Sequence, residues 1–363
     1  MSVTKDGDTG RWMSQIRVTD WTGKTIHKKK RGFSTKKEAL QWERDFISQS
    51  TGSLGMNFGD FIELYVKDME HRLKPSTVAS KKWLIDLKVT PFFKKIPLNE
   101  IKPTHVRQWQ NSLTSYRDEN GKPYSQTYLK CINNQLSAIF NHAVRYYELR
   151  SNPAAKVGNM GSEEHREMLF WTKEEYKKFA FEMMDKPVSF YAFEMLYWCG
   201  IREGELLALT SADFDFDKET VTINKSYQRL HGEDVITTPK TKKSNRTIKM
   251  PHFLCEEMQE YLDMLYGLKK KDRIFTVTKS YLHHEMDRGA KAAGVKRIRI
   301  HGLRHSHISL LIDMGFSAVA IADRVGHESI EITYQYAHLF PSKQTEMAKR
   351  LDDLGKGDFE NVS

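Results

Sequence analysis

The chain has 363 residues, a hydrophobic content of 39% and a formal net charge of +10, too long for one ordinary domain and apolar enough to build two or three real cores. It contains no run of eighteen apolar residues, and its first residues, MSVTKDGDTGRW, lack the apolar centre of a signal peptide. A spanning helix and a membrane partner are therefore not expected, and a soluble, cytoplasmic protein is. Cys131, Cys199 and Cys255 are isolated, odd in number and without metal spacing, so they read as reduced structural thiols.

Charge is unevenly spread. Residues 1–55 carry 11 basic against 6 acidic residues and residues 56–160 carry 16 against 9, while the rest carry 30 against 32. A basic first half followed by a near-neutral second half predicts that the first part holds a polyanion through its phosphates and that the second does other work. In chain order, Arg11–Thr19 alternates, Asp20-Trp21-Thr22-Gly23 reads as a turn and Lys24–Phe33 as the returning strand. Ser34 is placed to cap an amphipathic helix over 35–48, with Ala39, Leu40, Trp42, Phe46 and Ile47 for its inner face. The predicted domains are a small β-sheet plus helix module over 1–55, an all-helical unit over 56–158, and a mainly helical unit with a small sheet over 165–363.

Within 56–158, Phe58, Phe61, Ile62, Leu64 and Tyr65 form one apolar face, and Trp83, Leu84 and Leu87 are candidates for burial on the helix opened by Pro75-Ser76-Thr77. Lys74 stands beside that helix start, where backbone donors can take a phosphate. A long helix is predicted from Ser125 to Tyr147, with Leu129, Ile132, Leu136, Ile139, Phe140 and Val144 at helical spacing.

Past the polar stretch 158–165, a buried helix around Phe193–Trp198 breaks at Cys199-Gly200 before Ile201-Arg202-Glu203-Gly204-Glu205-Leu206. An arginine between a glycine and an apolar helix projects from a helix start towards an anion. Thr220–Ile223 alternates, and 235–248 reads as two strands joined by a basic turn that contains Lys240, Lys242 and Lys243. The stretch from Ile300 to Leu339 is densest in candidate chemistry. A buried helix around Ile308–Ile312 should stop at Gly315, and Ser317 should cap a helix over 318–325 that ends on Gly326. His301 and Arg304 then open one helix, His327 follows the next, and Tyr334 and Tyr336 come after. Arginine grips phosphate oxygens with a planar fork of donors, histidine donates or relays a proton, and a tyrosine hydroxyl can attack phosphorus.

The order G-x-R-x-x-E-L, then H-x-x-R-H, then G-H with a tyrosine nine residues on resembles the two catalytic boxes of the tyrosine recombinases, the phage-integrase family, over essentially the whole chain. The resemblance implies Arg202 and Arg304 as the catalytic arginines, His301 and His327 as phosphate-orienting groups, with His301 assisting removal of the tyrosine proton, and Tyr336 as nucleophile, leaving Tyr334 to packing. It implies a general-acid lysine in the basic turn; Lys240 sits where it is expected, with Lys242 and Lys243 as competitors that otherwise contact DNA. It further implies that the first module lays its sheet on arm-type DNA through Lys28, Lys29, Lys30 and Arg31, and that the helical unit clamps core-type DNA. A homotetramer on two duplexes, strand exchange through a Holliday junction, a DNA-bending host protein and an excisionase complete the expected partners, and a helix over 342–354 would dock onto a neighbouring copy.

The implied chemistry needs no metal or other cofactor: tyrosine attack yields a 3′-phosphotyrosyl enzyme, and reversal rejoins DNA with the bond energy retained. Three other readings are weaker. A metal site of His301, His305 and His327 has helical spacing but no nearby carboxylate or cysteine signature. A type IB topoisomerase would use the same chemical roles without two DNA-binding modules ahead of the site. A non-enzymatic helix-turn-helix regulator reading DNA with 318–339 leaves Arg202, the basic turn and the H-x-x-R pair without a task.

Overall fold

The computed structural model describes residues 2–7, 9–19, 25–51, 56–164, 168–230, 232–239, 242–334 and 336, with 348 and 351–352 beyond. The chain divides into two compact units, Met1–Arg166 and Glu167–Ser363. Its architecture is multidomain, mostly helical with small sheets, as its pattern predicted.

The first unit begins with strands Val3–Lys5, Trp12–Thr19 and Thr25–Phe33 in one antiparallel sheet of that order, followed by helix Lys36–Thr51. Pairing register sorts its side chains, because directly opposed residues share a face. Buried Val3 opposes buried Ser14, Ser14 opposes Lys30, and buried Ile16 opposes Lys28. Ser14 Oγ donates to Glu43 of the helix at 3.1 Å, so this is the helix-covered face. Gln15 opposes Lys29 and Arg17 opposes His27 on the other, open face. The register slips between Trp12 and Ser14, and Gly32, opposite that slip, adopts a positive φ of 94°. The helix cap falls one residue after Ser34: Thr35 Oγ1 accepts from the Glu38 N–H while the Glu38 carboxylate accepts from Ser34 and Thr35. The turn 20–23 lies outside the described residues.

The helices of 56–158 pack round Phe58, Phe61, Phe93, Trp109, Ile132, Leu136 and Phe140. Lys74 is the N-cap of Pro75–Lys88, and Ser125 caps Gln126–Tyr146 by accepting from the Tyr128 N–H at 3.2 Å. Leu84 is buried as expected, but Trp83 and Leu87 are 62% and 46% exposed, and Val144 is 38% exposed. On Pro75–Lys88 the buried stripe is centred on Leu84 and Ile85, which turns positions 83 and 87 outwards. Apolarity alone did not fix the buried face.

The second unit packs helices Lys173–Phe181, Pro187–Cys199, His252–Met264 and Lys279–Ala292 with the start of Ile300–Asp313 into one core. Thr172 opens it with a reciprocal cap to Glu175. Beside this core, Phe214–Asp215, Thr220–Ile223 and Arg246–Lys249 make one sheet, and Ser226–Leu230 with Glu233–Thr237 make a second. The expected hairpin is corrected here: the strands on either side of the basic stretch pair not with each other but with consecutive strands before it. Ile223 opposes Arg246 and Ser226 opposes Thr237, so two residues between partners on one side answer eight on the other. The basic segment is an excursion from a ribbon. Ile300–Asp313, Ala318–Val325 and Ile330–Tyr334 follow, and Tyr336 lies in a turn beyond the last. Most of the expected helix 342–354 lies outside the described residues. Among the described residues no helix is long and apolar enough to cross a membrane.

Candidate active site

Both arginines of the sequence motifs stand at helix starts, and one glycine serves both. Helix Pro187–Cys199 ends at Gly200 with φ 61°, where an added Cβ would meet the His307 ring at 2.5 Å, so both backbone conformation and space demand glycine. The turn makes Arg202 the N-cap of Glu203–Leu206. Arg202 Nη1 donates to Glu205 Oε1 at 2.7 Å, and Nη2 to the Gly326 carbonyl at 3.2 Å. The Gly200 carbonyl accepts from Arg304 Nη1 at 2.8 Å. Arg304 is only 2% exposed, and its Nη2 has no hydrogen-bond partner among the described residues. Burial, then Arg202 and Arg246, pull the Arg304 guanidinium down to about 9, which leaves it charged at neutral pH.

Arg246 went unremarked in the sequence, hidden behind a run of lysines, yet it ties the site together. Its Nη2 and Nη1 donate to Glu205 at 2.9 and 3.3 Å, its Nε to the Arg324 carbonyl at 3.0 Å and Nη1 also to the Ser244 carbonyl at 3.1 Å. Burial alone would raise the Glu205 carboxyl, but the hydrogen bonds and charges of Arg246 and Arg202 outweigh it and hold it below the usual range. Arg324 in turn donates to His307 Nε2 at 3.1 Å and to the Lys249 and Trp198 carbonyls at 3.0 and 3.2 Å. Helix, strand and loop carrying the candidate residues are thus cross-braced by guanidinium groups. The only signal for Arg246 in sequence was its place at the start of a strand just past the basic stretch.

His301 is exposed in the first turn of Ile300–Asp313, and His305 lies one turn on, the two rings edge to face at 4.8 Å. Desolvation, then His305, Arg304 and Arg202, lower the His301 pKa, so its imidazole is neutral at neutral pH. Tyr336 is 3% exposed against Ile308, Ile312, Ile321 and Val325. Its hydroxyl hydrogen-bonds His305 Nδ1. Burial pushes the phenol up to about 12 against the opposing pull of Arg304. The side chain of Tyr334 lies outside the described residues.

His327 follows Gly326, whose φ of 69° ends Ala318–Val325 as the sequence indicated. Its N–H donates to the Ala322 carbonyl at 2.9 Å, and its Nδ1 meets the buried Thr333 hydroxyl at 2.8 Å. Burial, then Arg304 and Arg202, bring the ring down to about 3. Arg202, Arg304, His301, His305, His327 and Tyr336 therefore surround one charged centre. Lys240 lies outside the described residues, as does the side chain of Lys242; Lys243 is exposed. Among the described residues no group of three or more histidine, cysteine, aspartate or glutamate side chains is arranged to hold a metal.

The candidate DNA contacts of the first module separate by face. Lys29 lies on the open face with Gln15, Arg17 and His27. Lys30 is turned to the helix side, its Nζ 5.5 Å from the Trp42 ring centroid, and Lys28 shares that side through Ile16. Arg31 reaches Asp6 at 3.5 Å.

Residues 169–343 match the Phage integrase family, residues 2–50 an Arm DNA-binding domain, and residues 57–114 the Phage integrase, N-terminal SAM-like domain. The ICEBs1 integrase of Bacillus subtilis is 31% identical over 88% of this chain and 91% of its own length. The Tn1549 transposon integrase in complex with transposon right end DNA superposes with a TM-score of 0.63 at 19% identity, over 81% of this chain and 98% of that one. A lambda integrase tetramer bound to a Holliday junction gives 0.58 at 18% identity, over 92% and 94%. At these identities the likeness to the two solved structures is one of fold.

Proposed function

The chain belongs to the phage integrase family and is a site-specific tyrosine recombinase, and from that premise we propose that Tyr336, Arg202, Arg304, His301, His327 and Lys240 carry its reaction. Tyr336 Oη attacks a DNA phosphorus and the 5′ oxygen leaves, giving a 3′-phosphotyrosyl enzyme. Attack by a new 5′ hydroxyl then expels the tyrosine and rejoins the strand. Arg202 and Arg304 neutralise the crowded oxygens of the transition state, where fixed donors contribute several kcal/mol in comparable sites. Lys240 protonates the leaving oxygen.

The observation that carries this reading is the Arg304 guanidinium, buried and charged, with Nη2 lacking an acceptor among the described residues. A buried donor of that kind calls for an anion. The histidines fit the same anion. A phosphate oxygen only accepts, so His327 must present N–H at Nε2, which requires the Thr333 hydroxyl to donate to Nδ1. A neutral ring can do this without repelling the arginines. His301, exposed at its helix start, takes a second oxygen.

The remaining assignments follow the division of the chain. Residues 1–55 bind arm-type DNA through the basic strand that carries Lys28, Lys29, Lys30 and Arg31, of which Lys29 stands on the open face, and residues 56–158 bind core-type DNA with Lys74 at a helix start. Residues 165–363 perform the chemistry, with Lys242 and Lys243 on the DNA backbone. The working assembly is a homotetramer on two duplexes that exchanges strands through a Holliday junction, with a DNA-bending host protein and an excisionase directing integration and excision of a mobile element.

The deciding experiment uses a nicked suicide substrate that traps the covalent intermediate. Tyr336→Phe should bind and pair DNA yet form no adduct, whereas Tyr334→Phe should still form one. A nucleotide mapped to Tyr334, or an adduct that persists in Tyr336→Phe, overturns the assignment.

A further inference from the structure

We propose that His305, one helical turn beyond the histidine of the H-x-x-R pair, is the group that takes the proton of Tyr336 as it attacks. This rests on the reading of Tyr336 as nucleophile and adds a residue to its machinery. The carrying observation is direct contact: His305 Nδ1 is the hydrogen-bond partner of Tyr336 Oη, with ring centroids 5.6 Å apart. Geometry comes before acidity in identifying a base, and no other titratable group among the described residues hydrogen-bonds that hydroxyl.

The surroundings suit the role. His301 and Arg304 lie on the same helix as His305, and Arg304 is the charged group that acts on both His305 and Tyr336. Arg202, Glu205, Arg246 and His327 gather round Arg304 and His301 from the short helix, the strand and the loop. Burial and the Arg304 charge keep the His305 imidazole neutral at neutral pH, so Nδ1 can accept. The phenol is far too weak an acid to give up its proton beforehand, so transfer accompanies attack. As the Oη–P bond forms, the Oη proton passes to Nδ1, while the P–O5′ bond breaks and its electron pair takes a proton from the general acid. On rejoining, the entering 5′ hydroxyl gives its proton back to the deprotonated general acid as its oxygen bonds phosphorus, the Oη–P bond breaks, and Nδ1 returns its proton to Oη. The imidazolium that forms in between lies beside a tyrosyl phosphodiester whose anionic oxygens balance it.

The test is single-turnover adduct formation by the full chain on the nicked suicide substrate, with DNA affinity and thermal unfolding measured alongside. His305→Ala should slow the adduct roughly 100-fold while leaving DNA affinity unchanged. Added 4-methylimidazole should restore much of the loss. Without a base the rate should climb about tenfold per pH unit towards the phenol pKa, because only phenolate then attacks. His305→Gln offers the hydroxyl an acceptor but no basic nitrogen, and should be as slow as His305→Ala. His301→Ala should show neither imidazole rescue nor the steeper pH profile.

An adduct rate in His305→Ala close to that of the native enzyme overturns the proposal. So does recovery in His305→Gln, or slowing with neither rescue nor a changed pH profile, each of which would make His305 a positioning residue. Peptide mapping separates the two levels: an adduct on a residue other than Tyr336 overturns the nucleophile assignment and this proposal with it, whereas an adduct on Tyr336 with normal rates in the variants overturns only this one.

Discussion

Thr333 is fully buried, and its hydroxyl has a ring nitrogen of His327 as partner. In the proposed reaction its role is to choose a tautomer: a hydroxyl that donates to Nδ1 leaves the proton on Nε2, the nitrogen required to donate to the phosphate. Thr333→Val keeps the shape and removes the donor, so half the histidine's function goes while its position stays. Adduct formation should fall about tenfold, the value of one hydrogen bond to a charged group, with DNA affinity little changed. Rates equal to those of the native enzyme would mean that His327 does not donate to the phosphate. Residue-scale chemistry was the part most legible in the sequence, because arginine, histidine and tyrosine at fixed offsets have few other uses together. His305 was visible there only as a conceivable metal ligand, since its contact with Tyr336 spans 31 positions and depends on how two helices and a turn pack.

At the scale of elements, Arg246 holds a strand, the short helix behind Arg202 and the end of Ala318–Val325 in one arrangement. Arg246→Met should destabilise the catalytic unit by about 3–5 kcal/mol, since Glu205 would remain buried with half its partners gone. It should also slow adduct formation, because Glu205 then orients Arg202 differently. Arg246→Lys should not restore the rate, as one ammonium cannot span Glu205 and the Arg324 carbonyl. Denaturant unfolding and single-turnover cleavage read the two effects separately, and a variant of normal stability would refute the bracing role. Element ends such as Ser317 to Gly326 were readable because caps and left-handed stops are local. Strand partners round the basic segment were not, since alternation shows that a stretch is a strand and not what it pairs with. The outward turn of Trp83 and Leu87 was likewise invisible, because a helix face is chosen by its neighbours.

Across the whole molecule, positive charge is concentrated ahead of the chemistry, and register narrows which part of it can face a duplex. Arg17, His27 and Lys29 share the open face of the first sheet, whereas Lys30 is engaged with Trp42 on the other. Arg17→Glu with Lys29→Glu should therefore weaken binding to arm-type DNA and lower its salt dependence by about one unit of slope per lost phosphate contact, while cleavage of a core site continues. Equal losses from Lys30→Glu alone would reassign the face. The Arg304 Nη2, without a partner among the described residues, has a different consequence, one of thermal stability. A buried cationic donor without an acceptor lowers the stability of the native state, and any oxyanion that supplies the acceptor binds that state alone. By mass action, an anion at a hundred times its dissociation constant adds about 2.7 kcal/mol. Sulfate should raise the melting temperature beyond chloride of equal ionic strength, and Arg304→Leu should lose that increment while keeping the general salting effect; equal increments in both proteins would show that no such site exists. On this reading the scissile phosphate is as much an ingredient of the fold as a substrate of the enzyme, and the melting temperature should be highest when target DNA is bound.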